Sequence, residues 1–328
     1  MNNTIALDVR DFSVHFQTSS GVAKAVNHVT YAVRQGERLG LVGESGCGKT
    51  TTILGIMRLI KYPGRIVGGE VILNGERDLV RVRESQMRRI RHQEVAMIPQ
   101  GAMNSLNPVK RIEQQFTEIF DVHGLHFANR VKRLDRIKEL LSFVGVRADT
   151  VNMYPHELSG GMKQRVWIAL AIALSPSVIL ADEPTSALDV VVQRRVMATL
   201  EEVQSRLGVA LILIGHDMGL MAQFVDTVAV MYAGRIIEKG QVRDIFHEPL
   251  HPYTKFLIQS LPTLEKKKLF NGLEGSAPSL LDPPLGCPFH PRCPLADAAK
   301  GCFQIPPSLV DLGRERQVAC YVVTEGRA

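Results

Sequence analysis

A glycine-rich segment at residues 43–50 (GESGCGKT) constrains the fold of this chain more than any other feature of its sequence. It fits the phosphate-loop pattern G-x-x-x-x-G-K-[ST], which needs a buried strand before it and a helix behind it. An apolar run at residues 38–42 and a helical pattern at 51–60 meet both needs. In this motif glycines let backbone N–H groups surround a phosphate, the lysine reaches the β- and γ-phosphates, and the last hydroxyl ligates Mg²⁺. The segment predicts an α/β nucleotide-binding fold, and the residues expected to contact the nucleotide are Gly43, Ser45, Gly46, Cys47, Gly48, Lys49, Thr50 and Thr51.

Length and composition set the outer bounds. The chain has 328 residues, 45% of them hydrophobic and 22% charged, as in globular proteins with one large and one smaller domain, or two domains. The start of the chain lacks the pattern of a signal peptide, and the longest apolar run, residues 166–174, is too short to cross a bilayer. We therefore expect a soluble cytoplasmic protein that reaches a membrane only through a partner.

The net charge of +6 leaves three interpretations open. Basic runs at residues 81–91 and 266–268 could contact nucleic acid or anionic lipid headgroups, or could form solvated helix faces. Because no aromatic residues interleave with these runs, the solvated face is the favoured interpretation. With six Tyr and one Trp, the composition offers no evident stacking platform for single-stranded nucleic acid.

Periodicity predicts the arrangement around the phosphate loop. Apolar runs at residues 178–181 and 210–214 have the length and composition of parallel strands buried on both faces. Residues 130–143 carry helical periodicity, and residues 228–238 predict a hairpin. A short strand is expected at residues 70–73, after glycines that we expect to interrupt the extended chain.

A second motif, Leu158-Ser159-Gly160-Gly161-Met162, resembles the signature of ATP-binding cassette (ABC) proteins. Ser159 is a suitable N-cap, and a helix N-terminus with free N–H groups is an anion site. In that family the signature residues (here Ser159, Gly160 and Gly161) close over ATP held by the phosphate loop of another subunit. The resemblance implies an ABC-type P-loop ATPase fold: a mostly parallel core sheet, an antiparallel β subdomain and a helical subdomain.

Other motifs of that family follow in order, and each role below is what the resemblance implies. The strand ending in Asp182 and Glu183 resembles the Walker B strand. Asp182 would hold Mg²⁺ through water, because Mg²⁺ keeps much of its hydration shell. Glu183 would position or deprotonate the attacking water, since phosphoryl transfer depends mainly on positioning and charge neutralisation. The residues expected to hold Mg²⁺ are Thr50, Gln100 and Asp182.

The remaining motifs complete the site that the resemblance implies. Gln100 resembles the Q-loop glutamine that contacts Mg²⁺ and the water, and His216 resembles the switch histidine at the γ-phosphate. Glu183, His216 and Gln100 are thus the expected catalytic residues. Asp189 matches the D-loop, which crosses the dimer interface in that family. Phe16 is the expected aromatic platform for adenine, with Tyr31 as a weaker candidate.

Four short segments narrow the resemblance. Residues 62–66 (YPGRI), 105–108 (SLNP), 231–234 (MYAG) and 251–254 (HPYT) are similar to the ATPase subunits of dipeptide and oligopeptide importers, a family that also serves nickel and oligosaccharide uptake. The resemblance implies an ATP-hydrolysing subunit that powers peptide import at the cytoplasmic face of the membrane. It also implies a second, related ATPase as heterodimer partner, two transmembrane permease subunits and an extracytoplasmic solute-binding protein, with no nucleic acid.

Two alternatives from other classes remain open. A soluble ABC ATPase acting on nucleic acid or ribosomes would account for the positive charge, but such proteins usually carry two cassettes and this chain has one phosphate loop. A metal-sensing regulatory module with incidental hydrolysis is the other. Cargo does not follow from this chain, because peptide, sugar and nickel systems share these ATPases.

The tail carries four of the five cysteines, with the spacing C-x5-C-x8-C-x17-C. A reducing cytosol disfavours disulfides, so zinc, an iron–sulfur cluster and free thiols are the alternatives. The tail resembles the C-terminal cysteine motif of the importer family, which holds a 4Fe–4S cluster in some members. We expect that cluster at Cys287, Cys293, Cys302 and Cys320, with zinc as second choice. A change in composition predicts a nucleotide-binding domain at residues 1–245 and a cysteine-bearing C-terminal domain at 246–328.

Overall fold

The computed structural model describes residues 4–261 and 275–324. Within these ranges the strands are β1 (Ile5–Thr18), β2 (Gly21–Arg34), β3 (Arg38–Val42), β4 (Gly64–Leu73), β5 (Arg77–Asp78), β6 (Val95–Ile98), β7 (Val178–Asp182), β8 (Ala210–Ile214), β9 (Thr227–Tyr232), β10 (Arg235–Gln241), β11 (Val310–Asp311) and β12 (Gln317–Val318). The α-helices are α1 (Lys49–Ile56), α2 (Glu84–Gln93), α3 (Ala102–Ser105), α4 (Ile112–Val122), α5 (Arg130–Phe143), α6 (Gly160–Ala171), α7 (Val190–Leu207), α8 (Met218–Phe224), α9 (Val242–His247), α10 (Pro252–Gln259) and α11 (Tyr321–Thr324). Short 3-10 helices occupy Ala148–Asn152, Pro155–Glu157 and His290–Arg292.

The described residues form two compact units, and neither is continuous in sequence. The first unit takes residues 4–7, 33–37 and 81–213. The second takes residues 8–32, 38–80, 214–261 and 275–324, so the phosphate loop and the cysteines belong to the same unit. The domain boundary near residue 245 stays a prediction, because the two units follow packing rather than chain order.

Parallel strands and helices make up the first unit. Strands β8, β7 and β6 are neighbours in that order, and β6 pairs with β7 in parallel register from Val95↔Val178 to Ile98↔Ala181. Every residue of β7 and β8 is buried, which confirms the prediction of strands covered on both faces. Helix α5 has the bounds predicted from its periodicity, and it packs against α6.

Two sheet regions organise the second unit. A four-stranded sheet has the order β2-β1-β4-β5, and a second region has the order β11-β12-β10-β9-β3. Strand β3 pairs in parallel with β9, and β9 and β10 form the predicted hairpin. Strand β12, close to the end of the described chain, pairs antiparallel with β10. The tail therefore extends the sheet that leads into the phosphate loop.

Strand β4 corrects the prediction that glycines interrupt this part of the chain. It runs from Gly64 to Leu73, and Gly68 and Gly69 lie inside it. Gly69 has φ +89°, and a Cβ there would lie 2.5 Å from the carbonyl oxygen of Asp11. The glycine is therefore required by the close approach of β1 rather than by a break in the strand. Helix α1 also ends earlier than predicted, at Ile56 instead of residue 60.

This geometry predicts the stability of two glycine variants. Gly69→Ala combines positive φ with a backbone overlap, and we expect it to lower the free energy of unfolding by about 2–4 kcal/mol. Gly75→Ala is the matched control, because Gly75 also has positive φ (+72°) but a Cβ added there would meet no atom within 4 Å. Its expected cost is about 1 kcal/mol. Urea denaturation of both variants measures the difference, and equal costs would contradict the close approach of β1.

Candidate nucleotide site and four-cysteine site

The phosphate loop, which joins β3 to α1, is held by close backbone contacts. Gly43 has φ +150° and Gly48 has φ +109°. A Cβ on Gly43 would lie 2.1 Å from the carbonyl oxygen of Met231, and a Cβ on Gly48 would lie 2.1 Å from that of Ala25. Only glycine fits at either place, because any side chain would force the loop away from the two strands.

Lys49 opens helix α1, and its side chain folds back over the loop. Its Nζ donates to the carbonyl oxygens of Gly43 (2.7 Å) and Glu44 (2.9 Å), and lies 3.5 Å from Sγ of Cys47. No side chain caps the start of α1, and the N-terminal end of a helix attracts an anion. A buried ammonium group beside a helix N-terminus fits a polyphosphate.

The other phosphate-site residues lie around this cradle or elsewhere in the second unit. Ser45 and Gly46 are exposed at the tip of the loop, and Thr50 and Thr51 are half-buried in the first turn of α1. His216 is exposed between β8 and α8. These positions leave the predicted contacts of all five residues as predictions.

The two aromatic candidates for adenine differ in their surroundings. Phe16 is half-buried, and its ring covers Gly64, where a Cβ would lie 2.5 Å from Cε1 of the ring. Tyr31 is only 3% exposed, so its ring belongs to the core. The suggestion that Tyr31 stacks on adenine is therefore wrong, and the role of Phe16 stays a prediction.

In the first unit, two predicted catalytic residues are in contact. Because β6 and β7 are parallel neighbours, the segments that follow them lie side by side. Nε2 of Gln100 donates to Oε2 of Glu183 at 2.9 Å. Glu183 is half-buried with φ +44°, and Asp182, just before it, is 1% exposed. The arrangement places one buried and one half-buried carboxylate at the end of a buried strand.

The signature and D-loop residues have clear local roles in the first unit. Ser159 caps α6, with its Oγ accepting from the N–H of Met162 at 3.4 Å, as predicted. A Cβ on Gly161 would lie 2.6 Å from Cγ1 of Val192 in α7, which explains the glycine. Asp189 caps α7, because its Oδ1 accepts from two backbone N–H groups at 3.0 and 2.9 Å. Contact of these residues with ATP on a partner subunit stays a prediction.

The structure brings the four tail cysteines to one cavity. Cys287, Cys302 and Cys320 are buried and Cys293 is half-buried, and all four line a space of about 10 Å³. The N–H of Cys287 donates to the carbonyl oxygen of Cys302 at 2.9 Å, which ties two of them together. Among residues 4–261 and 275–324, no group of three or more His, Cys, Asp or Glu side chains is arranged to hold a metal ion.

Burial controls the acidity of these thiols. It raises the pKa of Cys287 to about 11, and the neighbouring cysteines add to the increase. Burial likewise raises the pKa of Cys293 and of Cys320. Backbone N–H groups that donate to the sulfurs oppose these increases, and they belong to Phe289, Leu295, Val322 and Val323. Such N–H donors favour thiolate over thiol.

Sequence reasoning missed the contacts of Glu44, a variable position of the phosphate loop. Its N–H donates to the Tyr253 hydroxyl at 2.9 Å, and its carboxylate pairs with Arg292 at 3.0 Å. These partners lie 209 and 248 residues away in sequence. No periodicity or spacing in a single sequence signals contacts at that separation.

Comparisons with known proteins agree with this fold. The ABC transporter family model matches residues 26–186, and the oligopeptide/dipeptide transporter C-terminal region matches residues 237–302. The chain is 44% identical to the dipeptide transport ATP-binding protein DppD of Haemophilus influenzae, covering 96% of this chain and 94% of that protein. It is 40% identical to the oligopeptide transport ATP-binding protein OppD of Salmonella typhimurium, covering 98% and 95%. A dimeric ATP-binding cassette, MJ0796, solved with ADP and phosphate, matches with a TM-score of 0.64 and 24% identity over 72% of this chain and 99% of that one.

The chain belongs to the family of ATP-binding subunits of dipeptide and oligopeptide ABC transporters. It is an ABC-type ATPase, and the cassette fold predicted from its motifs is confirmed. Among the described helices, none is both long and apolar enough to span a bilayer. The alternative of an ATPase acting on nucleic acid gains no support from these relatives.

The burial of Cys47 in the phosphate loop predicts that its thiol is alkylated slowly. Cys47 is 5% exposed, and burial raises the pKa of its thiol. We expect N-ethylmaleimide at pH 7.5 to modify Cys47 at least about tenfold more slowly in the folded chain than in urea, because the thiolate is the reacting form. Peptide mapping by mass spectrometry follows the reaction. Equal rates in both conditions would contradict the burial of this thiol.

Proposed function

We propose that this chain is the ATP-hydrolysing subunit of an importer for dipeptides or oligopeptides. The main support is that the chain is 40–44% identical to peptide-transport ATP-binding proteins over nearly its whole length, including the C-terminal region. Nickel or an oligosaccharide is the second candidate cargo, since the resemblance in the sequence extends to those systems. The nucleotide-binding domain would take residues 1–245 and the cysteine-bearing domain residues 246–328.

The nucleotide phosphates would sit in the loop at residues 43–50, against the N-terminal end of α1. Lys49 would leave the carbonyl oxygens of Gly43 and Glu44 and donate to the β- and γ-phosphates. The buried ammonium group and the glycines that admit no Cβ support this fit. The expected contacts are those of Gly43, Ser45, Gly46, Cys47, Gly48, Lys49, Thr50 and Thr51, with Phe16 against adenine.

Glu183 would act as the base for the attacking water, and Gln100 would hold its carboxylate in place through the 2.9 Å hydrogen bond. His216 would contact the γ-phosphate. Mg²⁺ would be held by Thr50, Gln100 and Asp182, and when bound it neutralises charge on the β- and γ-phosphate oxygens. The burial of Asp182 beside an accessible Glu183 supports this division of roles.

Two such subunits would share each ATP. The phosphate loop of one would face Ser159, Gly160 and Gly161 of the other, with Asp189 crossing the interface. The partner would be a second, related ATPase, and closure of the pair would drive two permease subunits supplied by an extracytoplasmic solute-binding protein. The chain would then act at the cytoplasmic face of the membrane.

The four cysteines would hold a 4Fe–4S cluster, with zinc as second choice. The types of donor suit such a group, because four sulfur atoms line one cavity and backbone N–H groups donate to three of them. His251 also lines the cavity, and its buried Nε2 has no hydrogen-bond partner among the described residues. Nδ1 of His251 accepts from the N–H of Tyr253, so the Nε2–H group is available to a ligand in the cavity. A bound cluster would cross-link a short tail that has little core of its own.

If Glu183 is the base, its loss should abolish ATP hydrolysis without weakening ATP binding. Glu183→Gln keeps the shape of the side chain but removes its basicity, so we expect ATP affinity within about threefold and hydrolysis lowered at least about a hundredfold. Lys49→Ala is the contrasting variant, because loss of the phosphate-facing charge should weaken ATP binding itself. Equilibrium binding and phosphate release measure the two quantities. Normal turnover in Glu183→Gln would reject Glu183 as the base.

Cargo is tested by uptake of a labelled dipeptide and a labelled oligopeptide into cells that lack the chain. We expect the wild-type chain to restore ATP-dependent uptake of at least one of them and Glu183→Gln to restore neither. Glu183→Gln should fail because the permeases would transport peptide only when the ATPase pair hydrolyses ATP. Restoration of nickel or oligosaccharide uptake, but of no peptide, would overturn the peptide assignment and leave the ATPase assignment intact.

The cysteine site is tested by composition. Chain purified without oxygen should contain about four iron and four sulfide per chain, and Cys302→Ser should lose most of both. About one zinc and no sulfide would favour the second choice. A chain with neither iron nor zinc would reject a metal site at these cysteines.

A further inference from the structure

Glu44, in the phosphate loop, contacts two side chains that lie far outside the loop in sequence, those of Tyr253 and Arg292. Its carbonyl oxygen accepts from Nζ of Lys49 at 2.9 Å, and its N–H donates to the hydroxyl of Tyr253 at 2.9 Å. Its carboxylate accepts from both terminal nitrogens of Arg292, at 3.0 and 3.2 Å. These hydrogen bonds fix both the backbone and the side chain of Glu44, and they include its contact with Lys49.

Arg292 connects this loop directly to the cysteine segment. It immediately precedes Cys293, at the end of the 3-10 helix His290–Arg292, and its side chain is 8% exposed. Besides Glu44, it donates to the hydroxyl of Tyr232 at 3.2 Å. A shielded bidentate pair of an arginine and a carboxylate is both stronger and more directional than an exposed ion pair. The position of Arg292 therefore fixes the position of Glu44.

A buried aromatic cluster fills the space between the cysteine cavity and the loop. Tyr232, Tyr253 and Phe289 are each at most 1% exposed, and their ring centroids lie 4.6 to 5.5 Å apart. Phe289 and His251 line the cysteine cavity, with ring centroids 5.7 Å from each other. Since packed interiors deform little, a shift of the cavity wall is transmitted to the hydroxyl of Tyr253 and hence to Glu44.

We propose that the cysteine segment sets the affinity of the phosphate loop for nucleotide, with Arg292 and Tyr253 acting as positioning residues through Glu44. This inference rests on the proposed function of the loop as the ATP site. A metal bound in the cysteine cavity would fix the position of the cysteine segment, and through it the position of Glu44. The phosphate loop would then be ordered before the nucleotide binds. Arg292 also neutralises a carboxylate that would otherwise repel the phosphates. By linkage, bound nucleotide strengthens metal binding at the cysteines by the same factor.

The first experiment tests the positioning role. Arg292→Met keeps an unbranched, flexible side chain but removes the guanidinium group, and we expect it to weaken binding of a non-hydrolysable ATP analogue about tenfold in the full-length chain. Adding Glu44→Gln should restore part of that loss, because no unpaired carboxylate remains. Arg38→Met is the matched control: Arg38 makes a similar part-buried pair with Asp226, at 2.8 and 3.2 Å, at the far end of β3. Its affinity should stay within about twofold of wild type.

The results of that experiment separate a positioning role from general damage. Calorimetric titration gives each dissociation constant, and circular dichroism confirms that each variant is folded. Equal losses in Arg292→Met and Arg38→Met would overturn the role of Arg292. No loss in Arg292→Met would do the same. Tyr253→Phe provides a second variant, because it removes only the hydroxyl that Glu44 contacts, and it should weaken binding about threefold.

The second experiment tests whether metal bound at the cysteines changes the affinity of the phosphate loop for nucleotide. Cys302→Ser should lower ATP-analogue affinity about five- to tenfold in the wild-type background and less than twofold in Arg292→Met. Iron, sulfide and zinc are measured on the same samples. Equal effects in both backgrounds would overturn coupling through Arg292. A chain that binds ATP but never holds metal would overturn the coupling alone, whereas a chain that binds no ATP in any form would overturn the proposed function.

Discussion

The close approach of the phosphate loop to two strand carbonyls is the contact on which the rest of the site depends. At Gly43 and Gly48 a single methyl group would lie 2.1 Å from a carbonyl oxygen, so the loop is pressed against β9 and β2 without room for a side chain. This packing turns the loop backbone around the space that a phosphate would fill. It also fixes the start of α1, and with it Lys49. The site is therefore defined by backbone packing before any side chain contributes charge.

The tail continues this packing instead of standing apart from it. Strand β12 pairs with β10, and the buried carboxylate of Glu238 in β10 accepts from the N–H groups of Leu250 and His251, both at 2.9 Å. These bonds fix the turn that carries Tyr253 to the loop. A fully buried carboxylate is tolerated because it is hydrogen-bonded. The segment that matches the C-terminal family region thus serves the nucleotide site as well as the cysteine cavity.

Much of this arrangement could be predicted from the sequence, because local patterns determine it. The bounds of α5, the buried strands β7 and β8 and the cap at Ser159 all follow from periodicity or from motifs. The predictions that fail depend on packing. Gly69 lies inside a strand and is a glycine because β1 approaches it closely. Tyr31 is buried in the core, although an aromatic residue could in principle stack on a nucleotide base. The contacts of Glu44 escape sequence reasoning for the same reason.

An ATPase of the dipeptide and oligopeptide transporter family should be recovered from membranes together with the other subunits of its transporter. Affinity purification of the tagged chain from detergent-solubilised membranes tests this expectation, with every co-purifying protein identified by mass spectrometry. The predicted result is recovery of two proteins with several membrane spans and of a second, related ATPase. Recovery of the chain alone, or with RNA, would contradict the transport assignment while leaving the ATPase fold in place.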